Sequence, residues 1–344
     1  MRRDASNLFG VNAKDKWNPF WSVGFSWDIA KEKFYNPKTV PDLKLRITYG
    51  KQGNIDPSKV GTTTFSYTMT NIYTSTPISQ IRNFENPELT WEQVDMLNAG
   101  IDFSLLNKRL YGSIEFYHKK ITDLYGPSFI DVTTGLGVNT IIKNVGKMSG
   151  NGVDISLTSV NINKQFKWVT DIILNSYKDK IIKYYNDTAF KASQVVEMGG
   201  GLEGRPAFFL GVYKWAGLDP LNGDPQGYEG GQLSKNWASI TGNGSTRDDI
   251  KYIGSRLPAI FGSVGNTFSW KNISITARIT YKFKYYFLRE SVDYYGVTSK
   301  LSGHADYALR WQKPGDELTT NVPSFIYPVN SARDAFYRRS ATLV

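Results

Sequence analysis

The residue types that could carry catalysis or bind a metal ion are sparse in this sequence. His118 and His304 are the only histidines, and they do not form a zinc-like cluster. There is no cysteine, which excludes disulfides, thiolate catalysis and cysteine-based metal sites. The Asp and Glu residues are scattered, and the sequence gives no reason to pair any two of them for acid-base work. We therefore expect no catalytic residue, no metal site and no enzymatic activity.

Two further groups of residues match ligand-binding motifs only in part. Gly135-Leu136-Gly137 lacks the third glycine of a dinucleotide-binding fingerprint and falls in a predicted loop. Asp219, Asn222 and Asp224 offer oxygen ligands of the kind that calcium takes. Their spacing is not that of an EF-hand, and the neighbouring prolines favour a turn. We expect no cofactor.

The composition favours a β-rich protein and excludes two other classes. Aromatic residues make up 14% of the 344 residues, and there are 31 glycines, as in β-barrels with interfacial aromatic girdles. No apolar run approaches the roughly 18 residues that a membrane-spanning helix needs. The net charge is +10, but the basic residues are spread along the chain, so nucleic acid is not an expected partner.

The clearest element is a predicted hairpin from Leu97 to Lys119. Apolar residues alternate with small or polar ones on both sides of the short break at Asn107-Lys108, which is the period of a β-strand. His118 falls on the same face as Leu110 and Phe116, which favours a structural role for it. Each run of about ten residues matches a tilted strand that crosses a bilayer, although a soluble β-sandwich also contains such hairpins.

Alternation of the same kind predicts about nine strands, with a tenth beginning near Arg338. The other clear runs are Phe20 to Asp28, Leu43 to Tyr49, Val153 to Thr158, Phe166 to Leu174, Ile260 to Trp270 and Ile273 to Phe283. We expect their apolar residues to point out of a barrel into lipid and their polar neighbours to point inward.

The connections between these strands distinguish a membrane-spanning barrel from a soluble β-sandwich. Long loops are predicted over about 50–92, 122–150, 179–258 and 289–337, and tight turns at Asn107-Lys108, Asn161 to Gln165 and Lys271-Asn272. Compact soluble domains seldom contain even one structureless loop beyond about 15 residues. Alternating turns and long loops are typical of outer-membrane barrels, whose turns face the periplasm and whose loops face outward. The sequence therefore predicts an all-β fold, a partial transmembrane antiparallel β-barrel.

Several short segments of the sequence also resemble a known family, and they occur in the order and spacing found in that family. They are Phe20 to Trp27 (FWSVGFSW), Leu43 to Asn54 (LKLRITYGKQGN), Asn86 to Glu92 (NPELTWE), Tyr213 to Pro220 (YKWAGLDP), Gly223 to Tyr228 (GDPQGY) and Arg310 to Asp316 (RWQKPGD). Together they resemble the C-terminal barrel portion of SusC/RagA-type TonB-linked outer membrane proteins, over nearly the whole chain.

This resemblance implies an origin, partners and a function. The family forms a 22-stranded barrel with an N-terminal plug, contacts TonB, and carries a SusD-like surface lipoprotein as a lid. It lies in the outer membrane of Gram-negative, Bacteroidota-like bacteria and imports oligosaccharides or peptides. The plug, a signal peptide and the last barrel strands are not recognisable here, so we expect a fragment that forms an open sheet. A soluble or secreted β-rich carbohydrate-binding module and a passive porin are the alternatives.

Loop aromatics are the only candidate contacts for substrate or for the lipoprotein lid. An aromatic ring in an extracellular loop can stack on a sugar ring or pack against a partner protein. Packing within the loops themselves is at least as good an explanation for each of them. The candidates are Tyr67, Tyr73, Trp215, Tyr228 and Trp237.

Overall fold

The computed structural model describes residues 2–5, 17–56, 62–129, 133, 140–185, 191–198, 201–300 and 302–344. Within these ranges the chain forms fifteen strands and four short α-helices. The strands are β1 (Arg2–Ala5), β2 (Trp17–Asp28), β3 (Asp42–Asn54), β4 (Thr64–Thr70), β5 (Pro77–Asn83), β6 (Glu92–Leu105), β7 (Leu110–Phe129), β8 (Thr140–Asn163), β9 (Phe166–Tyr184), β10 (Phe209–Tyr213), β11 (Gly227–Glu229), β12 (Gln232–Ser234), β13 (Ile250–Ser255), β14 (Ile260–Trp270) and β15 (Ile273–Phe283). The helices are Ala192–Met198, Trp237–Ile240, Tyr294–Ser299 and Ser331–Arg338.

The chain divides into two compact units. The first unit comprises Met1–Asp187, Gly201–Arg205 and Pro258–Phe283. The second unit comprises Thr188–Gly200, Pro206–Leu257 and Lys284–Val344.

The first unit contains a nine-stranded sheet, in the order β1-β2-β3-β6-β7-β8-β9-β14-β15, and the separate hairpin of β4 and β5. The neighbouring strands pair antiparallel throughout. Within the described ranges β1 and β15 are the edge strands of this sheet. The predicted antiparallel sheet of about nine strands is therefore confirmed.

The hairpin predicted from Leu97 to Lys119 is confirmed as the facing parts of β6 and β7. Leu105 lies opposite Leu110, and the residues at 106, 107 and 108 have φ angles of 53°, 53° and 66°. Backbone in this left-handed region turns the chain back within four residues. The predicted strand limits Ile260 to Trp270 and Ile273 to Phe283 agree with β14 and β15.

Cross-strand register places the predicted apolar residues on one face of the sheet. Residues directly opposite each other in an antiparallel pair share a face, as Leu45 and Ile101 do, and Ile101 and Ile114. Lys44 and Arg46 alternate with these residues on the other face. The residues predicted to share the apolar face, all confirmed on it, are Trp21, Val23, Phe25, Trp27, Leu43, Leu45, Ile47, Ile101, Phe103, Ile114, Ile275 and Ile279.

A loop over 122–150 is a wrong prediction for most of its length. Strand β7 continues to Phe129 and β8 begins at Thr140, so the two strands pair far beyond the predicted hairpin. The register of this pair shifts between Ile121 and Leu124, where Asp123 has a φ of 60°. A β-bulge of this kind reverses the phase of the alternation, which hides the strand from a search for a period of two.

Two other predicted loops contain regular structure. The loop over 50–92 includes the end of β3 and the β4–β5 hairpin, and the loop over 179–258 includes the end of β9 and strands β10 to β13. Strands β10 to β13 have three to six residues each. Runs this short show too few alternations to reveal a period.

The prediction of a loop over 289–337, with a tenth strand near Arg338, is also wrong. The segment Ser331–Arg338 is a helix, and Asn330 caps it because its Oδ1 accepts the N–H groups of Ala332 and Arg333 at 3.0 and 3.1 Å. The apolar residues of this part of the chain are buried at irregular spacings. One core cluster consists of Val292, Tyr294, Val322, Tyr337 and Leu343.

Short strands and helices build the rest of the second unit. Strand β10 pairs with β13, and β11 pairs with β12. A further core cluster consists of Tyr213, Ile240 and Phe336. No helix within the described residues is long and apolar enough to cross a membrane.

Candidate functional site

One face of the nine-stranded sheet exposes large apolar side chains. Val23 and Phe25 are 63% and 64% exposed, and Ile279 is 74% exposed. A continuous apolar surface of this extent needs an apolar environment or a partner. Strands β14 and β15 carry it over 11 residues each, which is the length of a tilted strand that crosses the hydrocarbon layer.

The opposite face carries a network of charged side chains centred on Arg46. Its guanidinium donates to both carboxylate oxygens of Asp102 at 2.7 and 2.8 Å, and to Glu115 Oε1 at 2.7 Å. The amide of Asn98 donates to the second oxygen of Glu115 at 3.0 Å. Bidentate and multiply bonded ion pairs of this kind have a fixed geometry. The polar face is therefore ordered as well as hydrophilic.

Gly100 leaves room for this network. It lies between Arg46 and Glu115 in the cross-strand register. A Cβ at this position would come within 3.3 Å of Arg46 Nη2 and 3.2 Å of Glu115 Cγ. A larger side chain would occupy the path that the Arg46 guanidinium takes across β6.

A pair of tyrosines forms a second feature of the polar face. The rings of Tyr117 and Tyr177 stack with centroids 6.2 Å apart and an interplanar angle of 21°. Lys119 Nζ lies 4.9 Å from the first ring centroid and 5.9 Å from the second. The rings lie against Gly152 and Gly150, where a Cβ would come within 2.1 and 2.3 Å of tyrosine atoms.

This tyrosine pair is not among the residues that the sequence predicts for a site. The sequence feature that could have indicated it is a pair of glycines, Gly150 and Gly152. These glycines lie on the polar side of β8, opposite Lys119 and Tyr117. A glycine within a strand marks a place where another group approaches the backbone closely. The signal is missed because Gly150 falls within the loop predicted over 122–150.

Two of the predicted contact residues lie together on one exposed hairpin. Tyr67 is in β4 and is 75% exposed, and Tyr73 is in the turn between β4 and β5 and is 91% exposed. The turn is held by Asn71, whose Oδ1 accepts the N–H groups of Tyr73 and Thr74 at 2.8 and 3.2 Å. Both rings are therefore available to a ligand or to a partner protein.

The predicted tryptophans of the second unit take part in internal packing. Trp215 stacks on Phe336 with ring centroids 6.2 Å apart. Trp237 donates from its indole nitrogen to the carbonyl of Pro225 at 2.8 Å. These contacts agree with the explanation that the loop aromatics pack within the loops.

Tyr228 has a different position from the two tryptophans. It lines an open groove of the second unit together with Trp215, Lys214, Asp248 and Lys251. The structure thus brings Trp215 and Tyr228 to one groove, and Trp215 and Trp237 to one core cluster. Tyr67 and Tyr73 belong to the first unit.

The acidic residues around Asp219 form a turn, as the sequence predicts. Asp219 accepts the N–H of Leu221 at 2.8 Å and binds Lys235 Nζ at 2.5 Å. The hydrogen bond from Lys235 holds the pKa of Asp219 below its ordinary value. Asp224 binds Arg333 at 3.0 Å. Among the described residues no group of three or more metal-ligating side chains could hold a metal ion.

Both histidines have structural contacts. His118 Nδ1 lies 2.7 Å from Asn151 Oδ1, and both residues are on the apolar face of the sheet. His304 caps a 3₁₀ turn, because its Nδ1 accepts the N–H of Asp306 at 3.1 Å. The partial glycine motif at 135–137 lies outside the described residues.

An antiparallel sheet with one exposed apolar face and one ion-paired polar face has the surface of a transmembrane β-barrel wall. The chain belongs to the family described as TonB dependent receptor-like, beta-barrel, whose model matches residues 1–259.

Several relatives and solved structures are similar to this chain. The TonB-dependent receptor P26 of Formosa agariphila is 30% identical over 95% of the chain and 35% of its own length. The TonB-dependent receptor SusC of Bacteroides thetaiotaomicron is 31% identical over 49% of the chain and 17% of its own length. A structure of the RagAB peptide transporter matches 93% of this chain and 35% of the other, with 22% identity and a TM-score of 0.70.

The shared length limits what these similarities mean. The chain spans about a third of the TonB-dependent receptor P26 and of the RagAB chain that it matches. Because only 22% of the aligned residues are identical, the similarity to RagAB concerns the fold.

Proposed function

We propose that the chain is part of an outer-membrane receptor barrel of the SusC/RagA type that imports oligosaccharides or peptides with energy from TonB. One observation carries this proposal. The apolar residues of eight strands, β2, β3, β6, β7, β8, β9, β14 and β15, share one exposed face, while Arg46, Asp102 and Glu115 form an ion-paired network on the other. A barrel wall between lipid and a polar lumen needs this division.

The connections of the sheet support an orientation in the membrane. Four connections lie at one end of the sheet, which we call the turn end, and they are 29–41, 106–109, 164–165 and 271–272. The connections 55–91, 130–139 and 185–259 join strands at the opposite end. Outer-membrane barrels keep short turns in the periplasm and long loops outside the cell. The turn end, which holds the tight turns 106–109, 164–165 and 271–272, is accordingly periplasmic, and the end with the long connections 55–91 and 185–259 is extracellular.

The exposed aromatic residues are the proposed contacts for the substrate and for the lipoprotein lid. A SusD-like lipoprotein over the extracellular side would meet the long connections. Tyr67 and Tyr73 have exposed rings, whereas Trp215 and Trp237 are engaged in packing. We assign substrate or lid contact first to Tyr67 and Tyr73 and then to the groove of Tyr228.

The two alternatives differ in what they need from the sheet. A soluble carbohydrate-binding module would have to cover the apolar face, and Ile279 and Phe25 are exposed. A passive porin would use the same wall but would not need TonB. Catalysis is not part of the proposed function.

Transport is tested with the full-length polypeptide that carries this sequence, expressed in its host. We expect it in the detergent-soluble outer-membrane fraction, with uptake of labelled oligosaccharide or peptide that stops when TonB is deleted. Uptake that continues without TonB would favour the porin. Recovery from the soluble fraction without detergent would favour the binding module.

The orientation is tested by cysteine labelling in intact cells, since the sequence contains no cysteine. We expect Tyr73→Cys to react with a membrane-impermeant maleimide and Asn107→Cys to react only after the outer membrane is permeabilised. Labelling of Asn107→Cys in intact cells would overturn the proposed topology.

A further inference from the structure

The four connections at the turn end of the sheet carry a strong excess of positive charge. They contain seven basic residues, and Glu32 is their one acidic residue. All seven side chains are exposed. The basic residues are Lys31, Lys33, Lys38, Lys108, Arg109, Lys164 and Lys271.

The opposite end of the sheet does not share this charge. The connection 55–91 has two basic and three acidic residues, and 185–259 has seven basic and eight acidic residues. The connection 6–16 has two basic residues and one acidic residue, and 130–139 has Asp131 and no basic residue. The excess of cations is therefore specific to the turn end.

Internal ion pairs account for only a small part of this charge. Lys31 Nζ lies 2.8 Å from Asp28, and Lys108 Nζ lies 3.2 Å from Asp42. Both carboxylates belong to the ends of strands β2 and β3. The other five basic residues lie outside these two pairs, so the turn end keeps a net positive charge.

An aromatic patch on the apolar face lies next to these cations. Phe268 stacks on Phe166 and Trp168 with ring centroids 6.2 and 5.8 Å apart. Trp270 is half exposed, and Lys271 Nζ lies 4.8 Å from the centroid of its ring. Amphipathic rings between an apolar surface and water are suited to the level of lipid headgroups.

We propose that the turn end binds the headgroups of anionic phospholipids. Exposed lysines close to a membrane surface attract negatively charged headgroups, and the adjacent aromatic patch fixes the depth at which they meet the phosphates. The turn end carries the charge complementary to such a lipid, and a zwitterionic headgroup offers less net attraction. This inference rests on the membrane placement proposed above.

The test compares lipids retained by the purified full-length polypeptide from a mixture of phosphatidylglycerol and phosphatidylcholine, counted by native mass spectrometry. The variant replaces Lys33, Lys38, Lys164 and Lys271 with Gln. A control with the same change in charge replaces four exposed lysines of the second unit, Lys214, Lys251, Lys300 and Lys313. Each lysine near an anionic surface contributes about fivefold in affinity before screening by salt.

We expect the wild type to prefer phosphatidylglycerol, the turn-end variant to lose at least about tenfold of that preference, and the control to keep it. A high-salt measurement on the wild type should weaken the preference without any substitution. Equal retention of the two lipids by the wild type, or an equal loss in both variants, would overturn the inference. Retention of neither lipid would overturn the membrane placement as well.

Discussion

Arg46 reaches across the backbone of Gly100 and bonds to Glu115 at 2.7 Å, two strands away. The same guanidinium holds Asp102 with two hydrogen bonds. One side chain thus ties β3, β6 and β7 together on the polar face. The strands are joined there by charge in addition to the backbone ladder.

Replacing Arg46 with Leu should destabilise the sheet. Asp102 and Glu115 would lose their shared cation, and the two carboxylates would remain on one partly water-exposed face. Hydrogen bonds to charged groups contribute about 1.5 to 3 kcal/mol, and partial exposure reduces this to about 1 to 2 kcal/mol. The measurement is urea unfolding in detergent, with Lys44→Leu on the same strand and face as the control. Equal stability of the two variants would contradict this assignment.

A second prediction concerns the packing of the Tyr117 ring against Gly152. The substitution Gly152→Ala puts a Cβ within 2.1 Å of the tyrosine ring, which forces the ring and its stacking partner Tyr177 to move. Strained packing of this kind costs about 1 to 3 kcal/mol. Thermal unfolding of Gly152→Ala should therefore occur at lower temperature than that of the wild type.

A double-mutant cycle separates this effect from the loss of glycine in general. In a Tyr117→Ser background the obstacle is gone, so Gly152→Ala should cost much less. A Cβ added at Gly303 would have no atom within 4 Å of it, so Gly303→Ala serves as the neutral comparison. If the cost of Gly152→Ala is the same with and without the Tyr117 ring, steric contact is not its cause.

The apolar face provides a third prediction. Ile101→Arg places a cation among Leu45 and Ile114, its cross-strand neighbours. Arg on the lipid side of a barrel costs about 2 to 4 kcal/mol near the bilayer midplane. Ser113→Arg, on the polar side of β7, should cost far less. Folding of the full-length variants into liposomes measures the loss of folding free energy in each variant. Similar losses in Ile101→Arg and Ser113→Arg would contradict the assignment of one lipid-facing and one polar face.

Acid sensitivity of the second unit is the fourth prediction. Burial by itself would raise the pKa of Asp249, but hydrogen bonds from the N–H groups of Thr246, Gly231 and Gly230 hold it below the ordinary value. A carboxyl with a lowered pKa stabilises the fold above its unfolded pKa of about 3.9. This stabilisation is lost as the pH falls toward and through the folded pKa.

The substitution Asp249→Asn should remove this part of the acid dependence and destabilise the unit at neutral pH by about 1 to 3 kcal/mol. The exposed neighbour Asp248→Asn is the matched control. Unfolding is followed by tryptophan fluorescence between neutral and acidic pH. An acid transition that is unchanged in Asp249→Asn would show that another group controls it.

Most of the sheet was predictable from sequence because long runs of its strands alternate between apolar and polar residues. Leu43 to Tyr49 and Ile273 to Phe283 carry one side-chain class on each face, and this period is independent of the rest of the fold. The bulge at Asp123 breaks the period, so the extension of β7 was not visible. A local register shift depends on the partner strand, which a single run of residues does not contain.

The candidate site was less predictable than the sheet. Single aromatic residues such as Trp215 and Tyr73 have the same signature in the sequence, yet one is packed and the other is exposed. The Arg46 and Tyr117 contacts join residues far apart in the chain. Only the register of neighbouring strands brings them together.

The two long connections of the sheet differ twofold in length, and this difference has a small effect on the entropy of loop closure. Strand β3 ends at Asn54 before β6 begins at Glu92, and β9 ends at Tyr184 before β14 begins at Ile260. Closing a loop of twice the length costs only about 0.6 kcal/mol more. Insertions there can add new surface while the sheet keeps its register, so these connections can diversify at one end of an unchanged scaffold.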